Sequence, residues 1–232
     1  MNRETGKANG GARIRLDMHL HTRHSFDCLS EPSRILEAAN RRGIDRLVVT
    51  DHNEIRGALE LRELAPGRVL IGEEVKTREG FDIIGILLTE LIPEGTPAVE
   101  TCERILDQGG VVYIPHPFDG ARSGAAELLH SIAHLVDVVE VHNARCVLER
   151  YNRRALAWAR ENGKLSGAGS DAHTASEVGA GYVELPDFKL ERESLLDALR
   201  SGSITGRKRS SALYRMASTY AKLHKRLPFR SG

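Results

Sequence analysis

Cysteine is scarce in this chain. Cys28, Cys102 and Cys146 are odd in number and far apart. That excludes a disulfide framework, fits a reducing cytosol and does not have the spacing of a cysteine metal cluster. Aromatic residues are few as well, with five phenylalanines, five tyrosines and one tryptophan for stacking nucleobases. No apolar run approaches the roughly 20 residues of a membrane helix. The start, "MNRETGKANGGAR", lacks the apolar segment of a secretory signal, so residues 1–13 read as a flexible lead-in. A cytoplasmic protein with no membrane partner is therefore expected.

Acidic residues are missing from the end of the chain. None follows Asp197, whereas Arg200, Arg207, Lys208, Arg209, Arg215, Lys222, Lys225, Arg226 and Arg230 all lie there. The net charge of +1 thus hides an acidic body and a basic tail, which suggests an internal clamp, an anionic partner or simply a solvated basic helix.

A length of 232 residues, 41% of them hydrophobic, allows one sizeable core and predicts one large domain or a domain with an appendage. Seven short apolar runs have strand character: "IRLDMHL", "RLVVTD", "RVLIGEEV", "FDIIGILL", "GVVYIPH", "VDVVEVHN" and "LSGAGSD". Helices are expected between them. One is capped by Ser30, carries Pro32 in its first turn and stops at Gly43. Another opens at Thr96-Pro97 and stops at Gly109. A third, marked by Leu148, Tyr151, Ala155 and Trp158, ends near Gly163. Strand–helix alternation predicts a parallel sheet. "TREGFDII" is too short to hold a helix, so the third and fourth strands are expected to form a hairpin.

Ionisable residues fall at the ends of those runs. His19 and His21 close the first, and His-x-His on a strand points both rings to one face. Asp51 and His52 follow the second, Glu73 and Glu74 the third, His116 the fifth, His142 the sixth, and Asp171 and His173 the seventh. In a parallel barrel those carboxyl ends meet at one mouth, where active sites are built. Histidines scattered over a surface would not obey that rule, so a multinuclear metal site is expected.

In order along the chain, "DMHLHT", "SFD", "TDHN", "GEEV", "PHPF" and "GSDAH" resemble the motifs of the polymerase-and-histidinol-phosphatase (PHP) family of metal-dependent phosphoesterases, over roughly residues 15–185. The resemblance implies a distorted seven-stranded (β/α)7 barrel over residues 14–200, with a basic helical appendage over 201–232. It implies two or three divalent metal ions: zinc, manganese or iron, with magnesium admissible. Position by position, His19, His21 and Asp171 would hold a first metal and Glu74 would bridge it to a second held with His116. Asp27, His52 and His173 would hold a third. Glu74, Asp171 and His173 form the implied catalytic set, while Glu73 should face away.

Two positions depart from the family pattern. Asp82 in "DIIG" stands where many relatives carry histidine; a carboxylate there would favour harder ions. His142 has no fixed counterpart and could be a ligand, a substrate contact or structural. Arg145, Lys76 and Arg122 are the candidate phosphate-binding cations, and His24 reads as an exposed histidine. In the tail, Leu213, Met216, Ala217, Tyr220, Leu223 and Leu227 lie at helical spacing before Pro228, which predicts a helix packed on the barrel by that stripe, holding Arg207, Lys208 and Arg209 near the acidic mouth.

The expected activity is hydrolysis of phosphate esters of small molecules or nucleotides by metal-activated water. An exonuclease acting on nucleic-acid ends is an alternative. An amidohydrolase-type hydrolase would use His19, His21, His116, His142 and Asp171 but leaves Asp27, His52, Glu74 and His173 unexplained together. A non-catalytic module of the family would be expected to have lost ligands. The physiological substrate and the oligomeric state are not legible.

Overall fold

A computed structural model describes residues 12–119, 126–206 and 212–226. All seven apolar runs become strands: β1 (Arg13–Leu20), β2 (Arg46–Val49), β3 (Val69–Lys76), β4 (Asp82–Ile86), β5 (Val111–Ile114), β6 (Val138–Asn143) and β7 (Leu165–Gly169). The three expected helices are α1 (Pro32–Arg42), α3 (Ala98–Asp107) and α5 (Glu149–Glu161). They are joined by α2 (Arg56–Leu64), α4 (Ala126–Ile132), α6 (Arg192–Arg200) and α7 (Ala212–Arg226), and the sheet gains β8 (Gly181–Pro186) and β9 (Ser203–Gly206). The cap of α1 is Glu31 rather than Ser30, while Gly43 ends that helix at φ 63° as expected.

The nine strands run in the order β7-β6-β5-β4-β3-β2-β1-β8-β9. β1, β2 and β3 are parallel, as are β5, β6 and β7, and β4 is antiparallel to both neighbours. The expected β3–β4 hairpin is therefore present. The sheet curls until the two ends of β1–β7 meet: Asp171 N donates to His19 O at 2.7 Å and His21 N to Ala172 O at 2.9 Å. The result is a nearly closed α/β barrel. Seven strands were expected; β9 escapes detection because it is exposed along its whole length and so carries no apolar alternation. It pairs with β8, which places a sheet strand inside the expected appendage.

Apolar side chains form two layers. Leu16, Met18, Val48, Leu70, Ile84, Tyr113 and Val138 fill the barrel, closed below by Leu195 and Leu199 of α6. Ile35, Leu47, Val49, Ile71, Ile105 and Trp158 pack between sheet and helices. A bulge decides which layer β1 serves. Between the pairs Asp17–Leu47 and Leu20–Val49, β1 spends one residue more than β2. The extra residue switches the alternation. Leu16 and Met18 face the interior, Leu20 joins the outer layer, and His19 and His21 continue on the inner side.

Three members of the apolar stripe expected to seat α7 do not do so; the Leu213 side chain lies outside the described ones. Met216, Tyr220 and Leu223 are 65%, 62% and 58% exposed, and among the described side chains of the helix Ser218 and Ala221 are the buried ones. Polar anchors set the rotation: Arg145 donates to Ser218 Oγ at 3.0 Å, and Lys225 Nζ donates to the carbonyls of Arg23 and Ser25. Arg207, Lys208, Arg209, Leu227 and Pro228 lie outside the described residues.

Where β7 passes β1, only glycine fits. A Cβ on Gly169 would lie 2.3 Å from His19 Cβ and 2.9 Å from His19 N. Gly169→Ala is expected to destabilise the fold by about 1–3 kcal/mol through forced overpacking. Thermal unfolding of the variant checks this; an unchanged midpoint would show that β1 and β7 have room to part.

Candidate metal centre

Each barrel strand from β1 to β5, and β7, delivers a polar side chain to the mouth. His19 and His21 come from β1, His52 from the turn after β2, Glu74 from β3, Asp82 from the start of β4, His116 from the turn after β5, and Asp171 and His173 from the turn after β7. The loop after β1 adds Asp27. All are buried except half-buried His52. His116 and Asp171 adopt φ values of 29° and 51°, uncommon for residues other than glycine. Such strain costs about 1–3 kcal/mol per residue and concentrates at functional sites.

Glu74 stands at the centre. Its Oε2 lies 3.4 Å from Nε2 of both His19 and His21 and 3.2 Å from His52 Nδ1, while its Oε1 lies 3.2 Å from His116 Nε2. Asp171 Oδ1 is 3.4 Å from His21 Nε2 and 3.3 Å from His173 Nδ1. Asp27 Oδ2 is 3.1 Å from His173 Nε2. Four donor groups lie close enough to hold an ion: His19–His21–Glu74, His19–His116–Asp171, His21–His52–His173 and Glu74–Asp82–His116.

The hydrogen bonds fix the orientation of the imidazoles in this cluster. His19 Nδ1 faces Glu140 Oε1 at 3.1 Å, and His21 Nδ1 faces Ser25 Oγ at 3.1 Å. Ser25 Oγ gives its own proton to Asp51 Oδ1 at 2.7 Å, so it accepts from His21. Both Nδ1 atoms are thereby donors, and the two Nε2 lone pairs converge 3.2 Å apart. Only a shared proton or a cation relieves that arrangement. Burial, followed by His173 and His52, holds His21 well below the usual imidazole range, and burial pushes His173 down to about 3. Both are neutral donors at ordinary pH. Burial also opposes charge on His19, but Glu140 and Glu74 outweigh it and raise the ring to about 10. The carboxylates thus demand positive charge at the point a metal would occupy, and the imidazole–carboxylate donor set fits a divalent ion.

The other expected residues divide. Glu73 faces away, accepting from Ile92 N at 2.9 Å. Asp51 anchors the loop after β1, taking Thr22 N at 2.7 Å and Thr22 Oγ1 at 2.6 Å. Asp82 reaches the cluster and pairs with Lys76 Nζ at 2.9 Å; burial, then Glu74, pushes its carboxyl up. Arg145 lines the mouth but is buried against Ser218 Oγ at 3.0 Å and Glu177 Oε1 at 3.5 Å. His24 pairs with Glu60 Oε2 at 2.9 Å. Arg122 lies outside the described residues. His142 is not in the site. β6 has a second bulge between Glu140 and His142, and the His142 ring lies against Gly181 of β8 and Gly206 of β9.

Sequence reasoning missed Glu140, which is fully buried. It contacts His19, accepts His116 N at 2.8 Å and takes Asn143 Nδ2 at 2.9 Å. Asn143 also donates to Asp171 Oδ2 at 3.1 Å. An acid inside the apolar run "VVEV" was the available signal. Also missed were Ser218, Thr219 and Lys222, which α7 contributes to the wall of a cavity of about 510 Å³ over the cluster.

Known proteins share this architecture. Residues 17–162 match the family described as PHP domain, and residues 149–204 match the one described as PHP-associated. An uncharacterised protein of Methanocaldococcus jannaschii is 37% identical over 144 residues, 56% of this chain and 82% of that protein. A two-domain Bacteroides vulgatus protein containing a predicted PHP-like metal-dependent phosphoesterase superposes with a TM-score of 0.71 at 18% identity, over 86% of this chain and 66% of that one. An amidohydrolase from Chromobacterium violaceum, solved with sulfate and no metal, gives a TM-score of 0.61 at 17% identity, over 82% of this chain and 97% of that one.

Glu140 fixes the tautomer and aim of His19, so Glu140→Gln should weaken metal affinity by roughly 10–100-fold, the usual effect of losing such a support. Metal titration followed by calorimetry reads this. Equal affinity in the two proteins would remove Glu140 from the site.

Proposed function

Because the chain belongs to the PHP domain family, we propose that it is a metal-dependent phosphoesterase acting on small phosphorylated molecules or nucleotides. The observation that carries this reading is the convergence of His19 and His21 Nε2 on Glu74 with their Nδ1 atoms already engaged. His19, His21 and Asp171 would hold one ion, Glu74 with His116 and Asp82 a second, and Asp27, His52 and His173 a third. Bound there, divalent ions supply a hydroxide near neutral pH and offset charge on phosphoryl oxygens.

The chain's own residues do the rest. Glu140 and Ser25 aim His19 and His21, and Asn143 orients Asp171. His173 Nδ1 donates to Asp171 O at 2.9 Å, which leaves Nε2 directed at the site. Burial of Glu74 and Asp171 keeps bulk water from their carboxylates. Lys76 at the rim would meet a phosphate oxygen. A cavity of about 510 Å³ has the size of a small-ligand site, which favours a compact substrate over a long duplex. Imidazoles suit zinc, manganese or iron, and Asp82 biases the second site toward harder ions.

A metal-reconstituted screen against phosphomonoesters, nucleotides and short oligonucleotides tests the reading. Chelation should abolish hydrolysis, manganese or zinc should restore it, and Glu74→Gln should cost at least about 100-fold in kcat. Undiminished turnover in verified metal-free protein would contradict it, and amide hydrolysis without phosphoester turnover would point to the amidohydrolase alternative. Asp82→Ala should weaken one metal and lower activity, while Asp82→His should restore binding and shift the best metal toward zinc. Full occupancy and full rate in Asp82→Ala would show that Asp82 is no ligand.

A further inference from the structure

Helix α7 lies beyond both family-matched stretches, yet it forms part of the wall of the site. Its attachments are specific. Lys225 Nζ is held by the carbonyls of Arg23 and Ser25, on the loop that presents Asp27. Ser218 takes a hydrogen bond from Arg145 at 3.0 Å. Between these anchors, one turn from each, stands Lys222. Its Nζ lies 5.0 Å from the centre of the Phe26 ring and 3.6 Å from Asp27 Oδ2, and its side chain is 43% exposed to the cavity mouth. Phe26 is in turn packed on His52, with ring centres 4.9 Å apart.

We propose that Lys222 is a substrate-binding residue that, with Lys76, selects phosphomonoesters over phosphodiesters. The inference rests on the phosphoesterase reading above. Two features distinguish Lys222 from a surface lysine that merely balances Asp27. At 3.6 Å from Asp27 Oδ2 it is beyond a direct hydrogen bond, and that oxygen already faces His173 Nε2 at 3.1 Å. The ammonium therefore keeps donors for a ligand. The Phe26 ring also lies beneath the charge at the mouth, where a cation–π contact costs little of that donor capacity.

The placement of the two lysines supplies the selectivity. Lys76 pairs with Asp82 on the side of Glu74 Oε1 and His116. Lys222 stands by Asp27 on the side of Glu74 Oε2, His52 and His173. The ammonium groups thus flank the cluster. A monoester carries three terminal oxygens and close to two negative charges, so it can meet the cluster and a cation on each flank together. A diester has two terminal oxygens and a single charge, so it can engage fewer of these groups at once.

The test uses the full-length, metal-loaded protein and three variants: Lys222→Ala, Lys222→Arg and Lys222→Glu. Calorimetry measures inorganic phosphate binding, and steady-state kinetics compares p-nitrophenyl phosphate with bis(p-nitrophenyl) phosphate. Lys222→Ala should weaken phosphate binding about tenfold and raise KM for the monoester by a similar factor, with kcat and metal content nearly unchanged. Lys222→Arg should recover most of the loss, Lys222→Glu should be worse than alanine, and in each variant kcat/KM for the diester should fall by a smaller factor than that for the monoester. Equal phosphate affinity in parent and Lys222→Ala, or loss of affinity only in step with lost metal, would overturn the proposal. Failure of the parent to hydrolyse either ester would instead contradict the phosphoesterase reading, and the phosphate titration would still decide the role of Lys222 in anion binding.

Discussion

One constraint governs this molecule: imidazole lone pairs and carboxylates are packed around Glu74 with too few protons to satisfy them. Each Nδ1 of the His19–His21 pair is committed to a partner behind it, so both Nε2 atoms press toward the same point. In a buried setting such repulsion is costly, and water cannot screen it. The high proton affinity of His19 expresses the same deficit. A protein does not collect these groups for stability. The strain makes sense as preorganisation for cations.

The barrel is arranged to create that crowding. Parallel strands bring their carboxyl ends to one mouth, but parallel pairing alone would not aim the rings. The bulge in β1 puts His19 and His21 on the inner side directly above Met18. Gly169 lets the chain after β7 close on His19, and the left-handed backbone at Asp171 and His116 turns those side chains in from the strand ends. Glu140 then links three elements, contacting His19 of β1, the His116 amide after β5 and Asn143 of its own strand. Distortion of the barrel and function of the site have the same cause.

Much of this was legible in sequence because the signals were local. Short apolar runs located β1 to β7, and ionisable residues at their ends located the mouth. The unread parts depended on non-local pairing. The β1 bulge is an extra residue relative to β2, which no single run reveals. His142 obeyed the strand-end rule yet lies against β8 and β9, beyond a second bulge on β6. Glu140 carries no local signal beyond being an acid in an apolar strand, and its role shows only with His19 beside it. For α7, the apolar stripe of Met216, Tyr220 and Leu223 suggested the seated face, but hydrogen bonds from Arg145 and Lys225 fix the opposite rotation. Periodicity reports which face is apolar, and here polar contacts outweigh it.

The central claim is that the cluster around Glu74 exists to bind metal. The most direct measurement is anomalous diffraction at the zinc or manganese edge from crystals of the reconstituted protein, paired with metal content of the same sample in solution. The account predicts at least two ions, one bound by His19 and His21 and another by His116, with Glu74 between them. Anomalous density confined to sites away from this cluster, in a sample carrying stoichiometric metal, would contradict it.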